Sequence, residues 1–331
     1  MPCYNVQGTV DEAILSLMGQ SLIDFEIVAV DDGSSDDTLR RLHDWALRDQ
    51  RIHILALQHQ GIVAALNAGL EGCKAEYIAR MDADDRCTPE RLFKQVNMLE
   101  DHPELAIIGS LVKGFPEGEI GLEFRIYIDW LNSSLSDIEI KRGIFVQSPL
   151  AHPSTSYRHE WIDRVGGYQD HGWAEDYDLW MRMFLSGAQF GKVPEVLLEW
   201  RDHPRRLTHT DKHYSINSDL NLKAHYLMLG PLRGRDGVFM WGSGQTGKRL
   251  SELLLHLGCP VSATVDSYWA ENESKMASLP SCVPEGLTDM VERCQHPAVL
   301  VTERMNNIKE SISQKLAALG MHELQDWWAV A

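Results

Sequence analysis

Apolar positions in the first hundred residues alternate between two periods. Val10, Ile14, Leu17 and Met18 recur at helical spacing over residues 10–20, and the unbroken apolar run 27–30 reads as a buried strand. Leu39, Leu42 and Trp45 restore the helical period within 38–47, and 52–55 is again extended. The same reading predicts a helix over 61–72, a strand over 77–81, a helix over about 89–100 and a strand over 105–108. Strands and helices in alternation build β-α-β units around a largely parallel sheet, which makes the fold class α/β.

On such sheets ligands gather at the carboxyl ends of the strands. Two acidic clusters fall there, Asp31-Asp32 and Asp82-Ala83-Asp84-Asp85. Asp82 and Asp84 stand two apart, so an extended backbone points them the same way. Such a pair suits a hard divalent ion whose open positions accept a diphosphate. A solvated acidic turn ahead of the helix start at Thr88-Pro89-Glu90 fits the same residues.

Composition narrows the field. The 331 residues suffice for two domains, and 44% apolar with 24% charged residues is ordinary for a soluble globular chain. Against 31 basic residues stand 48 acidic ones, a net charge of −17 and the wrong sign for coating nucleic acid. An anionic ligand therefore needs local cations or a metal. Six cysteines without a Cys-x-x-Cys pair fit neither a zinc site nor a disulfide framework, which points to reduced thiols in a cytoplasmic setting. No apolar stretch is long enough to span a bilayer, so a membrane-bound substrate would be met by peripheral docking at the inner face.

Several motifs occur in a fixed order: Met1-Pro2-Cys3-Tyr4-Asn5, Asp31-Asp32-Gly33-Ser34-Ser35-Asp36-Asp37-Thr38, Gly61 with Asn67-Ala68-Gly69, and Arg80-Met81-Asp82-Ala83-Asp84-Asp85. His152-Pro153-Ser154, Val165-Gly166-Gly167-Tyr168, Trp173-Ala174-Glu175-Asp176-Tyr177-Asp178 and Arg201-Asp202-His203-Pro204 follow. Together, over about residues 1–210, they resemble an inverting glycosyltransferase of family 2 with the GT-A fold. The resemblance implies a metal-dependent transferase that moves a sugar from a nucleotide-diphosphate donor to a glycan or lipid-linked acceptor in cell-surface polysaccharide synthesis. It implies donor contacts from Asp31, Asp32, Asp82, Asp84, Arg80 and Asn67, with Asp31 on the base edge and Asp82 at the ribose. Asp84 would ligate Mn²⁺ or Mg²⁺, and His203 would complete the metal shell. Read by itself, His203 fits equally a surface histidine ahead of a proline turn. Asp176 becomes the general base, with Glu175, His152 and Trp173 on the acceptor side. As residues alone, Glu175 and Asp176 also fit first-turn acids favoured by a helix dipole. Trp161 and Trp180 offer further aromatic faces for a sugar, or simply core.

Between 114 and 149 the periodicity fades, and an acceptor-facing insertion is expected. A helical connector is expected over 211–232 and a second domain over 233–331. There, strand 238–241 is followed by Gly242-Ser243-Gly244-Gln245-Thr246-Gly247, a helix, and a strand ending at Asp266. This G-x-G-x-x-G turn in a strand–helix setting reads as a small Rossmann-like domain, its loop residues Gly242, Gly244 and Gly247 with Asp266 suited to a dinucleotide or other nucleotide. No hydride-transfer site accompanies it.

Rival classes were weighed on particular residues. An aspartyl phosphotransferase usually places Thr or Val after its D-x-D-x, where this chain has Asp85-Arg86. A nucleotidyltransferase needs a Gly-rich basic loop near the start. A catalytically idle nucleotide-binding scaffold or sensor is the remaining alternative. One departure from the family pattern bears on the fold: several apolar residues precede the Pro-x-Tyr-Asn turn in relatives, and almost none do here. The expectation is a first central strand cut short, its neighbours' hydrogen-bonding edges exposed and the nucleotide site weakened.

Overall fold

A computed structural model describes residues 1–242, 244–266, 279–303 and 306–331. They form two compact units: Met1–Ile140 with Pro149–Asp211, and Lys141–Ser148 with Lys212–Ala331.

The first unit begins with β1 (Pro2–Cys3), α1 (Val10–Met18), β2 (Ile27–Asp31), α2 (Thr38–Ala46), β3 (Ile52–Ala56) and α3 (Ile62–Gly72). Strands β1, β2 and β3 lie side by side in parallel, with Pro2 opposite Val30 and Ile27 opposite Ile52. Every residue of β2 is buried because both faces are covered. Period-two alternation sends Val28 and Val30 against Ala65 of α3, and Ile27 and Ala29 into a cluster with Val10, Ile14 and Leu42. At the start of α2, Asp36 Oδ1 accepts from the Thr38 backbone N–H at 2.9 Å.

The second sheet of this unit takes the order β4-β7-β6-β8-β5, from β4 (Tyr77–Ala79), β5 (Arg86–Cys87), β6 (Leu105–Phe115), β7 (Ser156–Arg158) and β8 (Gln189–Arg201). Long strands β6 and β8 run parallel, while β4–β7, β6–β7 and β5–β8 are antiparallel. Helices α4 (Arg91–Asp101), α5 (Leu122–Asn132), α6 (Asp137–Gly143), α7 (His159–Val165), α8 (Glu175–Leu185) and α9 (Leu207–Thr210) complete the order up to residue 211. The left-handed Gly166, φ 80°, ends α7 without a side-chain clash.

Three expectations change here. The strand foreseen over 77–81 stops at Ala79, because the chain must turn to gather the acids that follow. The aperiodic region 114–149 holds two helices, α5 and α6. The seam of α5 is short, Ile128 and Leu131, and sits among exposed Leu122 and Ile126, which blurred its period. The strand foreseen at 196–200 is the end of a 13-residue strand, β8.

The truncation of the first strand has a structural counterpart. β1 spans two residues against five in β2. β1 and β4 are the edge strands of the two sheets. A cavity of about 370 Å³ opens there, lined by residues that include Val28, Ile78 and Ala79.

The second unit contains α10 (Ile216–Leu229), β9 (Gly237–Trp241), α11 (Gln245–His256), β10 (Val261–Val265), β11 (Ser281–Cys282), α12 (Leu287–Val291), β12 (Pro297–Val301), α13 (Asn306–Ala318) and β13 (Trp327–Ala329). Its sheet is parallel throughout, in the order β11-β10-β9-β12-β13. The order reverses direction about β9, which makes the 242–247 turn the switch point of a doubly wound sheet. Strand β13, three residues long and rich in tryptophan, carried no sequence signal.

Candidate active site

Asp31 ends β2 and is 1% exposed. Its Oδ2 accepts from the Ser34 N–H at 3.1 Å, and its Oδ1 is buried with no partner. A buried carboxylate oxygen without a donor costs free energy unless a ligand N–H reaches it. Nearby, the half-exposed rings of Tyr4 and His59 stack at 4.1 Å. Asp32, next in the chain, has a different task. Its two oxygens accept from the backbone N–H groups of Gln60 and Gly61, each at 2.9 Å, and His59 Nδ1 lies 2.8 Å from Oδ2. Asp32 thus holds the β3–α3 loop, which corrects its expected place among the donor contacts.

Asn67 is corrected in the same sense. Its Nδ2 donates to the Tyr168 carbonyl and its Oδ1 accepts from the Tyr168 N–H, both at 2.9 Å. The amide is used up in tying α3 to the segment after α7.

Beyond β4, ligand-type oxygens of Asp82, Asp84 and Asp85 lie within 4.8 Å of one another. Arg80, 5% exposed, gives Nη2 to Asp82 Oδ1 at 2.7 Å and keeps Nε and Nη1 buried without partners. Burial works to lower its pKa, but the charges of Asp82 and Glu175 hold the guanidinium protonated. His203 Nε2 is 2.9 Å from Asp84 Oδ2, and its Nδ1 accepts from the Arg205 N–H at 3.2 Å. Nε2 therefore carries the proton given to Asp84. Asp85 accepts from the Arg201 N–H at 2.7 Å, and its Oδ2 is buried and unpartnered. Burial, then the charges of Asp84 and Asp82, push its pKa well above the usual carboxylate range. Three crowded carboxylates, one imidazole and an orphaned oxygen form a donor set that fits a hard divalent cation.

Asp176 stands in the first turn of α8, where its Oδ1 accepts from the Tyr177 N–H at 2.7 Å. Burial and the neighbouring Glu175 raise its pKa to about 7. Glu175, 5% exposed, approaches His152 Nδ1 at 3.8 Å. His152 Nε2 is 2.7 Å from the Tyr168 hydroxyl, which lies 3.2 Å from that of Tyr157. Burial, with Arg80 nearby, keeps this imidazole neutral, its pKa well below the ordinary value. Trp173 is held by Nε1 donating to buried Asp178 at 2.8 Å, and Asp178 also receives Arg182 Nε at 2.7 Å. Trp180 is fully buried and belongs to the core, not to a sugar face. The buried hydroxyl network of Tyr157 and Tyr168, and the clamp made by Asp32, were missed in the sequence. A tyrosine among apolar residues gives no signal of which hydroxyl it meets.

The family described as "Glycosyl transferase family 2" matches residues 1–165. The amylovoran biosynthesis glycosyltransferase AmsE of Erwinia amylovora is 34% identical over 193 residues, 58% of this chain and 70% of the relative. The chain belongs to glycosyltransferase family 2. Another relative, the Escherichia coli O-antigen biosynthesis glycosyltransferase WbnJ, is 29% identical and covers 61% of this chain and 78% of its own length. Among solved structures, S. aureus TarS 1–349 in complex with UDP-GlcNAc aligns with TM-score 0.57 at 16% identity, over 96% of this chain and 78% of that one. The fold of this family 2 enzyme is that of the GT-A glycosyltransferases, joined to a second α/β unit. No helix among the described residues is long and apolar enough to cross a membrane.

In the second unit, Gly242 follows β9 with φ 114°, and a Cβ on it would stand 2.6 Å from Thr302 Oγ1. A Cβ on Gly247 would lie 2.7 Å from the Gly242 carbonyl oxygen and 2.8 Å from Thr302 Oγ1. Gly244, by contrast, faces open space at the start of α11. Asp266 follows β10, its N–H donating to the Cys282 carbonyl at 3.1 Å. Ser243, inside the motif, lies outside the described residues.

Proposed function

We propose that this enzyme transfers a sugar from a nucleoside-diphosphate donor to a glycan or lipid-linked acceptor by a single inverting displacement, in cell-surface polysaccharide synthesis. The observation that carries the reading is the three-carboxylate cluster beyond β4 faced by His203. Asp31 Oδ1 is the acceptor for a ring N–H of the donor base, with Tyr4 and His59 beside it. Asp82 takes the ribose, and Arg80 beneath it supplies fixed positive charge. Asp84 and His203 hold Mn²⁺ or Mg²⁺, which when bound neutralises charge on the departing diphosphate. The metal there takes the place of the Nε2 proton. Asp176 accepts the proton of the acceptor hydroxyl as that oxygen attacks the anomeric carbon, and a carboxylate titrating near 7 is well matched to the task. Glu175, neutral His152 and Trp173 shape the acceptor side.

Relatives support the pathway and donor class. One is named UDP-Gal:alpha-D-GlcNAc-diphosphoundecaprenol beta-1,3-galactosyltransferase, from Escherichia coli, 27% identical over 57% of this chain and 67% of its own length. A lipid-linked acceptor would be met at the inner membrane face by peripheral association.

The test is isothermal titration with UDP, GDP and dTDP, each with and without Mn²⁺. Metal-dependent binding of one nucleotide, lost in Asp84→Ala, is expected. Equal binding by folded Asp84→Ala would overturn the metal assignment. A nucleotide on the 242–247 turn, supported by open Gly244 and the start of α11, would be seen as binding that survives both Asp84→Ala and metal removal.

A further inference from the structure

The first unit contains a void that its chemistry does not use. About 370 Å³ is the room of roughly a dozen water molecules, whereas protein interiors hold few voids larger than one. Its walls include Val28, Leu66, Leu70, Ile78, Ala79 and Tyr157, and it reaches down to Phe25. Apolar packing alone would close such a space, so something about its walls holds it open.

Two features of the backbone do so. In the three-stranded sheet β2 pairs with β3 along its whole length but with β1 only at Pro2 and Cys3, which face Val30 and Asp31. Ile27 and Val28 therefore have no strand partner on the β1 side. In the five-stranded sheet β4 pairs with β7 on one edge and with no strand on the other. Residues of both open edges line the cavity. A further residue of the same wall is Met1, whose ammonium donates to the Val28 carbonyl at 2.8 Å. That position is where a parallel strand continuing β1 would place a backbone amide. Burial depresses the pKa of the ammonium below its usual value.

We propose that this cleft is a strand-acceptor site, which takes an extended apolar peptide segment of about five residues, parallel to β2 and in line with β1. At about 3.3 Å per residue, five residues reach from Met1 to the foot of the cavity at Phe25. The occupant pairs its backbone with β2 on one side and β4 on the other, and so joins the two sheets into one. Apolar side chains are required on both faces, because helices and sheet close over both. The segment runs straight into Cys3, whose carbonyl accepts from the Asp32 N–H at 2.9 Å, so it also braces the turn that carries Asp31 and Asp32. The proposal is independent of the donor and acceptor assignments.

The test compares the chain with three fusions ahead of Met1: five β-branched apolar residues, the same five with a central proline, and five alternating Gly and Ser. The apolar fusion should raise Tm by roughly 5–10 °C and slow amide exchange at residues 27–28 and 77–79 by at least a hundredfold. The proline fusion should lose most of that gain, because a strand needs the amide that proline lacks. Equal gains with and without proline would mean that the cleft takes apolar mass and not a strand, which overturns the proposal. So would an apolar fusion no better than the Gly-Ser one. If the apolar fusion aggregates, an acetylated apolar pentapeptide with a leading lysine tail is added to the unmodified protein. Slowed exchange at the same amides then supports the site, and unchanged exchange at saturating peptide overturns it.

Discussion

Adjacent acids in this enzyme have unlike fates, and the difference lies in which donors reach them. Asp31 retains an orphaned oxygen, whereas both oxygens of Asp32 are bound to the Gln60 and Gly61 amides. The same holds in α8. Asp178 is fully buried against Arg182 and Trp173, while Asp176 keeps Glu175 as a like-charged neighbour and titrates near 7. Protonated Asp176 cannot act as a base, so kcat should rise with pH and level off above about 7. Asp176→Asn should lower kcat by roughly 10²–10⁴-fold and remove that inflection, as followed by a pH series of transfer rates. Stability moves the other way. A carboxyl whose folded pKa lies above its unfolded value of 3.8 makes the native state bind more protons, so stability falls as pH rises from about 4 to about 7. Asp176→Asn should therefore be more stable than the parent at pH 8 by about 1–3 kcal/mol, and equal to it at pH 4. Paired denaturant titrations at the two pH values would show it.

Elements gain their roles here from what they are tied to. Helix α3 is fixed to the segment after α7 by the two hydrogen bonds between Asn67 and Tyr168. A Cβ on Gly167 would come within 2.8 Å of Asn67 Oδ1, so this junction has no slack. Tyr168 in turn carries the hydroxyl that meets His152. Asn67→Ala should cost about 1–3 kcal/mol, since it leaves two buried backbone groups unpaired. It should raise the acceptor KM more than it changes nucleotide affinity, which steady-state kinetics beside nucleotide titration will separate. The apolar period of α1 to α4 was legible because each has a broad buried face. The helices within 114–149 were not, since α5 shows only a narrow seam and α6 is seven residues long.

At the scale of the molecule, two α/β units carry different loads. The glycines of the 242–247 turn illustrate it: Gly242 and Gly247 are required by contact with Thr302, and only Gly244 is free of contacts. Gly247→Ala should thus destabilise the second unit, visible as accelerated amide exchange in β9 and β12, while leaving nucleotide binding and transfer by the first unit within twofold. Loss of transfer in a Gly247→Ala protein whose first unit retains its exchange protection would contradict that division. The net charge of −17 acts on the whole chain, and it makes the local positive charge of Arg80 and the cation-fitting cluster the means by which a diphosphate is admitted.

Read alone, the sequence determined the family, the α/β class and the strand ends at which the chemistry sits. Motif order and hydrophobic period are local properties, and both survive without coordinates. Asp82, Asp84 and Asp85 were legible as a cluster because three acids within four residues cannot be far apart. Only tertiary structure brought His203 to Asp84 across 119 residues, placed Glu175 beside His152, and spent Asp32 and Asn67 on the framework. It alone turned a short first strand into a cleft with two open edges. Hydrogen-bond partners remote in sequence are chosen by packing, and a carboxylate's task depends on which donors packing brings within 3 Å of it.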